Sequence, residues 1–131
     1  MDPRTHLAID STLVGTPISL EQGAAEVGLD TTDAMAVDDR GLVHGGFVFG
    51  LADYAAMLAV NDPLVVLGAA ECTFLAPVRS GQHLVARARV VGEKGKKRTV
   101  EASATVADTR VFEATFTCFV LEHHVLEPKE S

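Results

Sequence analysis

The stretch that decides the fold is GLVHGGFVFGLADYAAMLAV, residues 41–60. A pair of glycines opens a nearly continuous apolar run. The run is followed at residues 61–63 by Asn-Asp-Pro, which ends a helix because proline cannot continue it. This pattern predicts a helix over Gly45–Val60 that is apolar on almost every side. Such a helix must be enclosed by other elements, so we expect it at the centre of the molecule.

The same run is apolar enough to raise the question of a membrane span. It is shorter than a typical spanning helix, it carries Asp53 near its centre, and polar residues flank it. Because a charged side chain is costly inside a bilayer, a buried core helix is the better interpretation, and we predict no membrane partner. The N-terminal sequence MDPRTHLAID has no long apolar segment, which predicts a cytoplasmic protein without a signal peptide.

Length and composition limit the class of protein. The 131 residues suffice for one domain with a real core, and we predict a single domain over residues 1–131 with its core at about residues 15–121. Apolar residues make up 47% of the chain and charged residues 22%, which is typical of a folded globular protein. The net charge of −7 argues against a general nucleic-acid binder, so no nucleic-acid partner is predicted.

The two cysteines, Cys72 and Cys118, both lie in apolar surroundings. Two isolated cysteines favour neither a disulfide framework nor a metal site, and we expect both to be buried free thiols in a reducing compartment. The sequence contains no P-loop, dinucleotide fingerprint, zinc-ligand spacing or Ser-His-Asp pattern. No metal and no cofactor are therefore predicted.

Alternation of apolar and polar residues predicts six strands, two before the helix as a hairpin and four after it. They are Pro17–Glu21, Ala24–Thr31, Leu64–Ala76, Gln82–Glu93, Arg98–Ala107 and Arg110–Leu121. One apolar face per strand indicates an α+β fold in which an antiparallel sheet wraps around the helix. A single sheet cannot enclose the helix completely, so we expect a second subunit to close the open side.

This order of elements, together with the segment Val43-His44-Gly45-Gly46 and Asp53 seven residues after the second glycine, resembles the hotdog-fold acyl-CoA thioesterases. The branch is the one similar to the phenylacetate-degradation thioesterases. Residues 74–81, FLAPVRSG, also resemble that family's link between the first long strand and the next. The resemblance covers about residues 15–121. It implies a hotdog fold, hydrolysis of an acyl-CoA with coenzyme A present only as part of the substrate, and a homodimer or a dimer of dimers.

The resemblance also implies roles for individual residues. Asp53 falls where relatives keep the helix carboxylate that acts as general base or nucleophile, and Gly45 where a backbone N–H forms the oxyanion hole. His44 falls at the histidine before that glycine. Asp38 falls where relatives often have an asparagine that positions the water or the thioester. An aspartate there is a departure, because a carboxylate cannot donate a hydrogen bond unless it is protonated.

The residues themselves are suited to thioester hydrolysis. The first amides of a helix lack intrahelical partners and favour negative charge, and glycine at positions 45 and 46 lets substrate approach the backbone. Burial among apolar neighbours should raise the pKa and the basicity of Asp53. Phe47, Phe49, Tyr54, Met57 and Leu58 are candidates to line an acyl pocket. Relatives often add a Ser or Thr from the next strand, and neither Glu71 nor Thr73 aligns cleanly with it.

Geometry adds a constraint. Gly45 and Asp53 are eight residues apart, or about 12 Å along a helix, whereas a reacting carbonyl must lie within roughly 3 Å of both its donor and its attacker. One chain therefore cannot easily supply both groups. Two antiparallel helices side by side could do so, with each Asp53 meeting the other chain's Gly45. This favours a symmetric dimer with two composite sites.

A basic cluster stands out in this acidic chain and is a candidate site for the phosphates of coenzyme A. Its members are Lys94, Lys96, Lys97 and Arg98, with Arg79 as a further candidate. The alternative is a solvated hairpin turn, for which GEKGKK is a natural sequence.

Other interpretations of the site residues stay open. Asp53 could be a structural acid bound to loop amides, and the glycine pair could serve close packing. His44 could be a helix-end residue bonded to a loop, and Asp38 and Asp39 could be turn residues.

Two other functions also stay open. One is a non-catalytic acyl-CoA or acyl-lipid binding module, although nothing basic and helical precedes residue 15 as a DNA-binding segment would. The other is an enoyl-CoA hydratase or dehydratase of the same fold, with His44 and Asp53 as its acid–base pair.

Overall fold

The computed structural model describes residues 1–128. The chain forms a short helix, a hairpin, a long helix and four further strands. The elements are α1 (Ser11–Val14), β1 (Thr16–Glu21), β2 (Ala24–Asp30), α2 (Gly45–Val60), β3 (Val65–Phe74), β4 (His83–Lys94), β5 (Lys97–Val106) and β6 (Thr109–Val120). The predicted helix is confirmed at both ends, and the predicted strands differ from the observed ones only at their terminal residues. Helix α1 was not predicted.

All strands belong to one antiparallel sheet with the order β1-β2-β4-β5-β6-β3. The alternation seen in the sequence sorts the two faces: Leu84 and Ala86 of β4 are buried, while Arg87 is exposed on the other face. Strand β3 pairs with β6 rather than with its sequence neighbour β4, which leaves β3 at the edge of the sheet. Most of β3 is exposed.

Helix α2 packs into the concave apolar face of this sheet, so the predicted sheet wrapped around one helix is confirmed. Leu51, Ala52 and Leu58 are fully buried on the helix. Phe112 and Phe116 of β6 are buried opposite them. The helix ends where Asn61 adopts the left-handed conformation (φ 53°), and the Asn61 amide donates to the Met57 carbonyl oxygen at 2.8 Å.

One face of α2 is not fully covered by its own chain. Five partly or fully exposed residues share one side of the helix: Gly46, Phe49, Gly50, Asp53 and Val60. The first four lie within two helical turns at spacings that keep them on one side, and Val60 follows Asp53 by two turns, so they form a single stripe. We call these five residues the open stripe. It is the side on which the sequence predicts a second subunit.

The prediction of two buried thiols is right for one cysteine and wrong for the other. Cys118 of β6 is buried, whereas Cys72 is exposed. Cys72 pairs with Ala114 and so faces the helix side of the sheet, but it lies on the exposed part of edge strand β3. Within residues 1–128, no helix is long and apolar enough to cross a membrane.

Candidate functional site

The first turn of α2 presents free backbone donors. His44 occupies the N-cap position in an extended conformation, but its side chain makes no capping hydrogen bond. Two backbone bonds fix the segment before the helix: the Val43 amide donates to the Val78 carbonyl oxygen at 2.8 Å, and the His44 amide to that of Met35 at 2.9 Å. Within residues 1–128 the amides of Gly45 and Gly46 have no acceptor, so this helix end can receive a negatively charged oxygen.

The glycines at this end also have steric reasons. A Cβ atom at Gly45 would lie 3.1 Å from the Phe74 ring, and one at Gly46 would lie 3.0 Å from the His44 ring. Close packing, one of the alternatives left open by the sequence, is therefore observed at both positions. It does not compete with a donor role, because the packing concerns the Cβ direction and the donor is the backbone N–H.

His44 is exposed, and its ring stands edge-on to Phe47 with the ring centroids 6.1 Å apart. Among the described residues its ring makes no hydrogen bond to a loop; the loop contact is made by its backbone amide. The side chain is therefore free to meet a ligand at the start of the helix.

Among residues 1–128, Asp53 carries the one buried side-chain oxygen that has no hydrogen-bond partner. Its Oδ1 atom is shielded from solvent and accepts no hydrogen bond within residues 1–128. Burial raises the pKa of Asp53 from 3.8 to about 6. A structural acid would be bound to backbone amides, and the structure shows none here. An unpaired, desolvated carboxylate is costly to keep, and such groups are concentrated at functional sites.

Asp53 lies on the open stripe beside β6. Phe49, one turn earlier on the same stripe, packs edge-on against Phe116 and Phe112 with centroid separations of 5.6 and 6.3 Å. Burial, and next to it the negative charge of Asp53, raises the pKa of Cys118 to about 11. The Cys118 thiol thus stays protonated at neutral pH and is a poor nucleophile.

Since Gly45 and Asp53 both lie on α2, their separation along the helix is about 12 Å, as the sequence implies. Within one chain, therefore, the Gly45 amide and the Asp53 carboxylate are too far apart to act on the same carbonyl group. A site that uses both requires a second helix against the open stripe.

Asp38 is used by its own loop. Its Oδ1 accepts hydrogen bonds from the amides of Arg40 at 3.0 Å and Leu42 at 3.2 Å, and the residue is exposed. These bonds support the interpretation as a turn residue. A role for Asp38 in positioning the water or the thioester stays a prediction.

The predicted phosphate-binding residues are divided between two places. Lys94, Lys96, Lys97 and Arg98 form the tip of the β4–β5 hairpin. There Arg98 pairs with Glu93 at 2.7 Å and Lys96 with Glu122 at 3.5 Å. We call these four residues the basic tip. Arg79, by contrast, forms a bridge with Leu42 in the loop before α2.

Strand register shows how far the basic tip is from Gly45. Lys97 pairs with Phe119, near the end of β6, whereas Phe74, which touches Gly45, pairs with Phe112 near its start. Seven residues of strand correspond to about 23 Å. One chain therefore does not bring the basic tip to the candidate oxyanion site.

Neither Glu71 nor Thr73 assists the site within this chain. They pair with Thr115 and Glu113 and lie on the face of the sheet away from α2. Among residues 1–128, no three His, Cys, Asp or Glu side chains cluster closely enough to hold a metal ion.

A groove beside Gly45 is the feature that the sequence reading missed. It measures about 260 Å³ and is lined by Val43, Gly45, Val48, Val111 and the segment Phe74–Val78. Three of the predicted pocket residues, Tyr54, Met57 and Leu58, instead belong to the core. The sequence feature that could have predicted this groove is the apolar run Phe-Leu-Ala-Pro-Val at residues 74–78, where strand β3 ends.

A family model described as the thioesterase superfamily matches residues 40–113. The match runs from the loop before α2 through β5 into the first part of β6 and includes His44, Gly45 and Asp53.

Two solved structures show the same fold. An uncharacterized protein of Pyrococcus horikoshii is 54% identical, with a TM-score of 0.96 over 97% of this chain and 98% of that one. The Escherichia coli PaaI protein from the phenylacetic acid degradation operon is 26% identical, with a TM-score of 0.73 over 79% of this chain and 80% of that one. The expected hotdog fold and the resemblance to the phenylacetate-degradation branch are confirmed.

Two curated relatives are longer than the match. Methylthioribose-1-phosphate isomerase of Aquifex aeolicus is 49% identical over 123 residues, 93% of this chain but 27% of that protein. Transcription factor FapR of Caldanaerobacter subterraneus is 28% identical over 118 residues, 89% of this chain and 59% of that protein. The chain thus spans about a quarter of the first and under two thirds of the second, and the activities in their names are those of the whole proteins.

Proposed function

Since the chain belongs to the thioesterase superfamily, we propose that it hydrolyses an acyl-CoA thioester to a free acid and coenzyme A. The observation that carries the proposal is the Oδ1 atom of Asp53, which is buried without a partner on the one face of α2 that its own chain leaves open. A carboxylate held there has no structural bond to lose, and it can accept a proton from water or attack a carbonyl carbon.

The proposed reaction needs two groups from this chain. With a pKa of about 6, Asp53 is mostly ionised above neutral pH. As base it removes a proton from water, whose oxygen adds to the thioester carbonyl; as nucleophile it adds itself, and water then cleaves the resulting anhydride. The Gly45 amide stabilises the oxyanion. When the intermediate collapses, the C–S bond breaks and the sulfur leaves as coenzyme A, taking a proton.

We propose that the active form is a homodimer with two composite sites. Edge strand β3 is exposed from Gly68 onward, and two copies of one edge strand can pair about a two-fold axis. Such pairing sets the two α2 helices antiparallel, with Asp53 of one chain toward Gly45 of the partner subunit.

The same arrangement accounts for the distant basic tip. The tip lies at the end of the sheet near the C-terminus of α2, and antiparallel helices place that end beside the partner's helix N-terminus. The tip then approaches the partner's site from outside, where the coenzyme A phosphates would lie. The assignment of the basic tip to the coenzyme A phosphates therefore depends on the proposed dimer.

The test is free-thiol release from a panel of short, long and aromatic acyl-CoAs, with Asp53→Asn protein in parallel. We expect turnover by the unaltered protein and a loss of at least 100-fold in kcat/KM for Asp53→Asn. The matched control is Asp108→Asn, the same change in the exposed β5–β6 turn, for which we expect no loss. Full activity in Asp53→Asn would refute the assignment, and hydration of an enoyl-CoA without thiol release would select a hydratase.

A second candidate is a non-catalytic acyl-CoA or acyl-lipid binding module. The observation in its favour is the similarity to FapR, a transcription factor, over 89% of this chain. In that case acyl-CoA would bind to both the unaltered and the Asp53→Asn protein, while neither released thiol. Calorimetric titration with the same panel separates the two candidates.

A further inference from the structure

The groove beside Gly45 adjoins the proposed oxyanion site, so a part of the bound thioester lies at its mouth. Gly45 forms part of its wall, together with Val48 of the same helix. A carbonyl oxygen held by the Gly45 amide therefore has one of its two substituents at the mouth of the groove. For a thioester, that substituent is either the acyl group or the sulfur with its pantetheine arm.

The side chains of the lining are all hydrocarbon, and the polar part of its surface is backbone. The end of β3 and the segment after it contribute Phe74–Val78, the loop before α2 contributes Val43, and β6 contributes Val111. No side chain of the lining bears a charge, a hydroxyl or an amide. In the single chain Phe74 and Leu75 are 53% and 46% exposed at the mouth of the groove, although both are large apolar side chains.

This lining favours one of the two substituents of the thioester carbonyl, the acyl group, over the other, the pantetheine arm. The pantetheine arm carries two amides and a hydroxyl, which would lose their hydrogen bonds to water and find no polar side chain here to replace them. An acyl chain loses nothing polar and gains burial. The apolar wall and the exposed aromatic ring thus fit the acyl group, and the sulfur points the other way.

We infer that this groove binds the acyl group and that the preferred substrate carries an uncharged, apolar acyl group of medium length; the inference rests on the proposed thioesterase function. The volume of about 260 Å³ sets the length. A water molecule occupies about 30 Å³ in the liquid and a methylene group is similar in size, so the groove holds roughly six to ten carbon atoms.

Two measurements of kcat/KM by thiol release test this inference. The first compares octanoyl-CoA with its carboxyl-ended analogue suberoyl-CoA on the unaltered protein. We expect the analogue to be at least 100-fold poorer, because its terminal carboxylate would enter the apolar groove without a partner. Arg79, which follows the groove residue Val78, is the nearest cation along the chain. Equal rates would show that a cation receives the carboxylate and would overturn the inference.

The second measurement uses Ala76→Leu, which adds bulk to the groove wall, and the matched control Ala24→Leu on β2, away from the groove. We expect the ratio of octanoyl-CoA to acetyl-CoA turnover to fall at least tenfold in Ala76→Leu and to stay unchanged in Ala24→Leu. If both variants keep the ratio of the unaltered protein, the groove assignment fails while the thioesterase stands. If no acyl-CoA releases thiol, the proposed function itself fails.

Discussion

Replacing Asp53 by asparagine should change how the stability of the protein depends on pH. The two side chains have nearly the same shape, but asparagine has no charge to desolvate. The folded-state pKa of Asp53 is about 6, against 3.8 for a free aspartate. Between these pH values the folded chain holds a proton that the unfolded chain has released, so the free energy of unfolding of the unaltered protein falls as the pH rises.

The difference between the two pKa values gives the magnitude. A gap of 6 − 3.8 = 2.2 corresponds to about 3 kcal/mol at pH 8, as an upper figure because Asp53 keeps some exposure. At pH 4.5 about 1 kcal/mol of this cost is already present, so about 2 kcal/mol appears between pH 4.5 and pH 8. Any constant cost of burying the asparagine amide cancels in this comparison.

The assay is urea unfolding of both proteins at several pH values between 4.5 and 8, at one protomer concentration because dimerisation affects stability. We expect the asparagine variant to gain about 2 kcal/mol relative to the unaltered protein over this range, or about 1 M in the urea midpoint. A difference that is independent of pH would refute the desolvation argument. A difference of opposite slope would show a carboxylate stabilised by hydrogen bonds, as in a structural acid.

Three further predictions follow from individual contacts. The kcat/KM for thioester hydrolysis should rise about tenfold per pH unit below pH 6 and level off above it, since only ionised Asp53 reacts; a flat profile from pH 5 to 8 would contradict this. Gly68→Ala should destabilise the protein by about 1–3 kcal/mol, because its Cβ would overlap the Phe119 ring, whereas Gly92→Ala, whose Cβ meets ordinary contacts, should change the melting temperature little. Cys118, buried and with a pKa raised to about 11, should react with a thiol reagent only after unfolding; rapid labelling of the native protein, located by mass spectrometry, would show otherwise.

Several elements of the fold could be predicted from the sequence because their determinants are local. The apolar run that opens at Gly45 and stops before Pro63 specifies α2, and the period-two alternation in β4, β5 and β6 specifies strands with one buried face. The desolvation of Asp53 also follows locally, since its neighbours one turn away on the helix are apolar. The eight-residue spacing between Gly45 and Asp53 is also local, and it is the basis of the prediction that two chains share each site.

Other features were decided by the tertiary structure, since they depend on which distant segments pair. Strand β3 leaves its sequence neighbour to pair with β6, and no local pattern encodes that choice. This pairing exposes Cys72, places Phe74 against Gly45 and thereby builds the groove. Strand register likewise sets the basic tip about 23 Å from the start of α2. The conformation of the loop before α2 directs the Asp38 carboxylate to the backbone amides of Arg40 and Leu42. The sequence by itself thus determined the elements and the desolvated carboxylate, whereas long-range strand pairing decided what surrounds them.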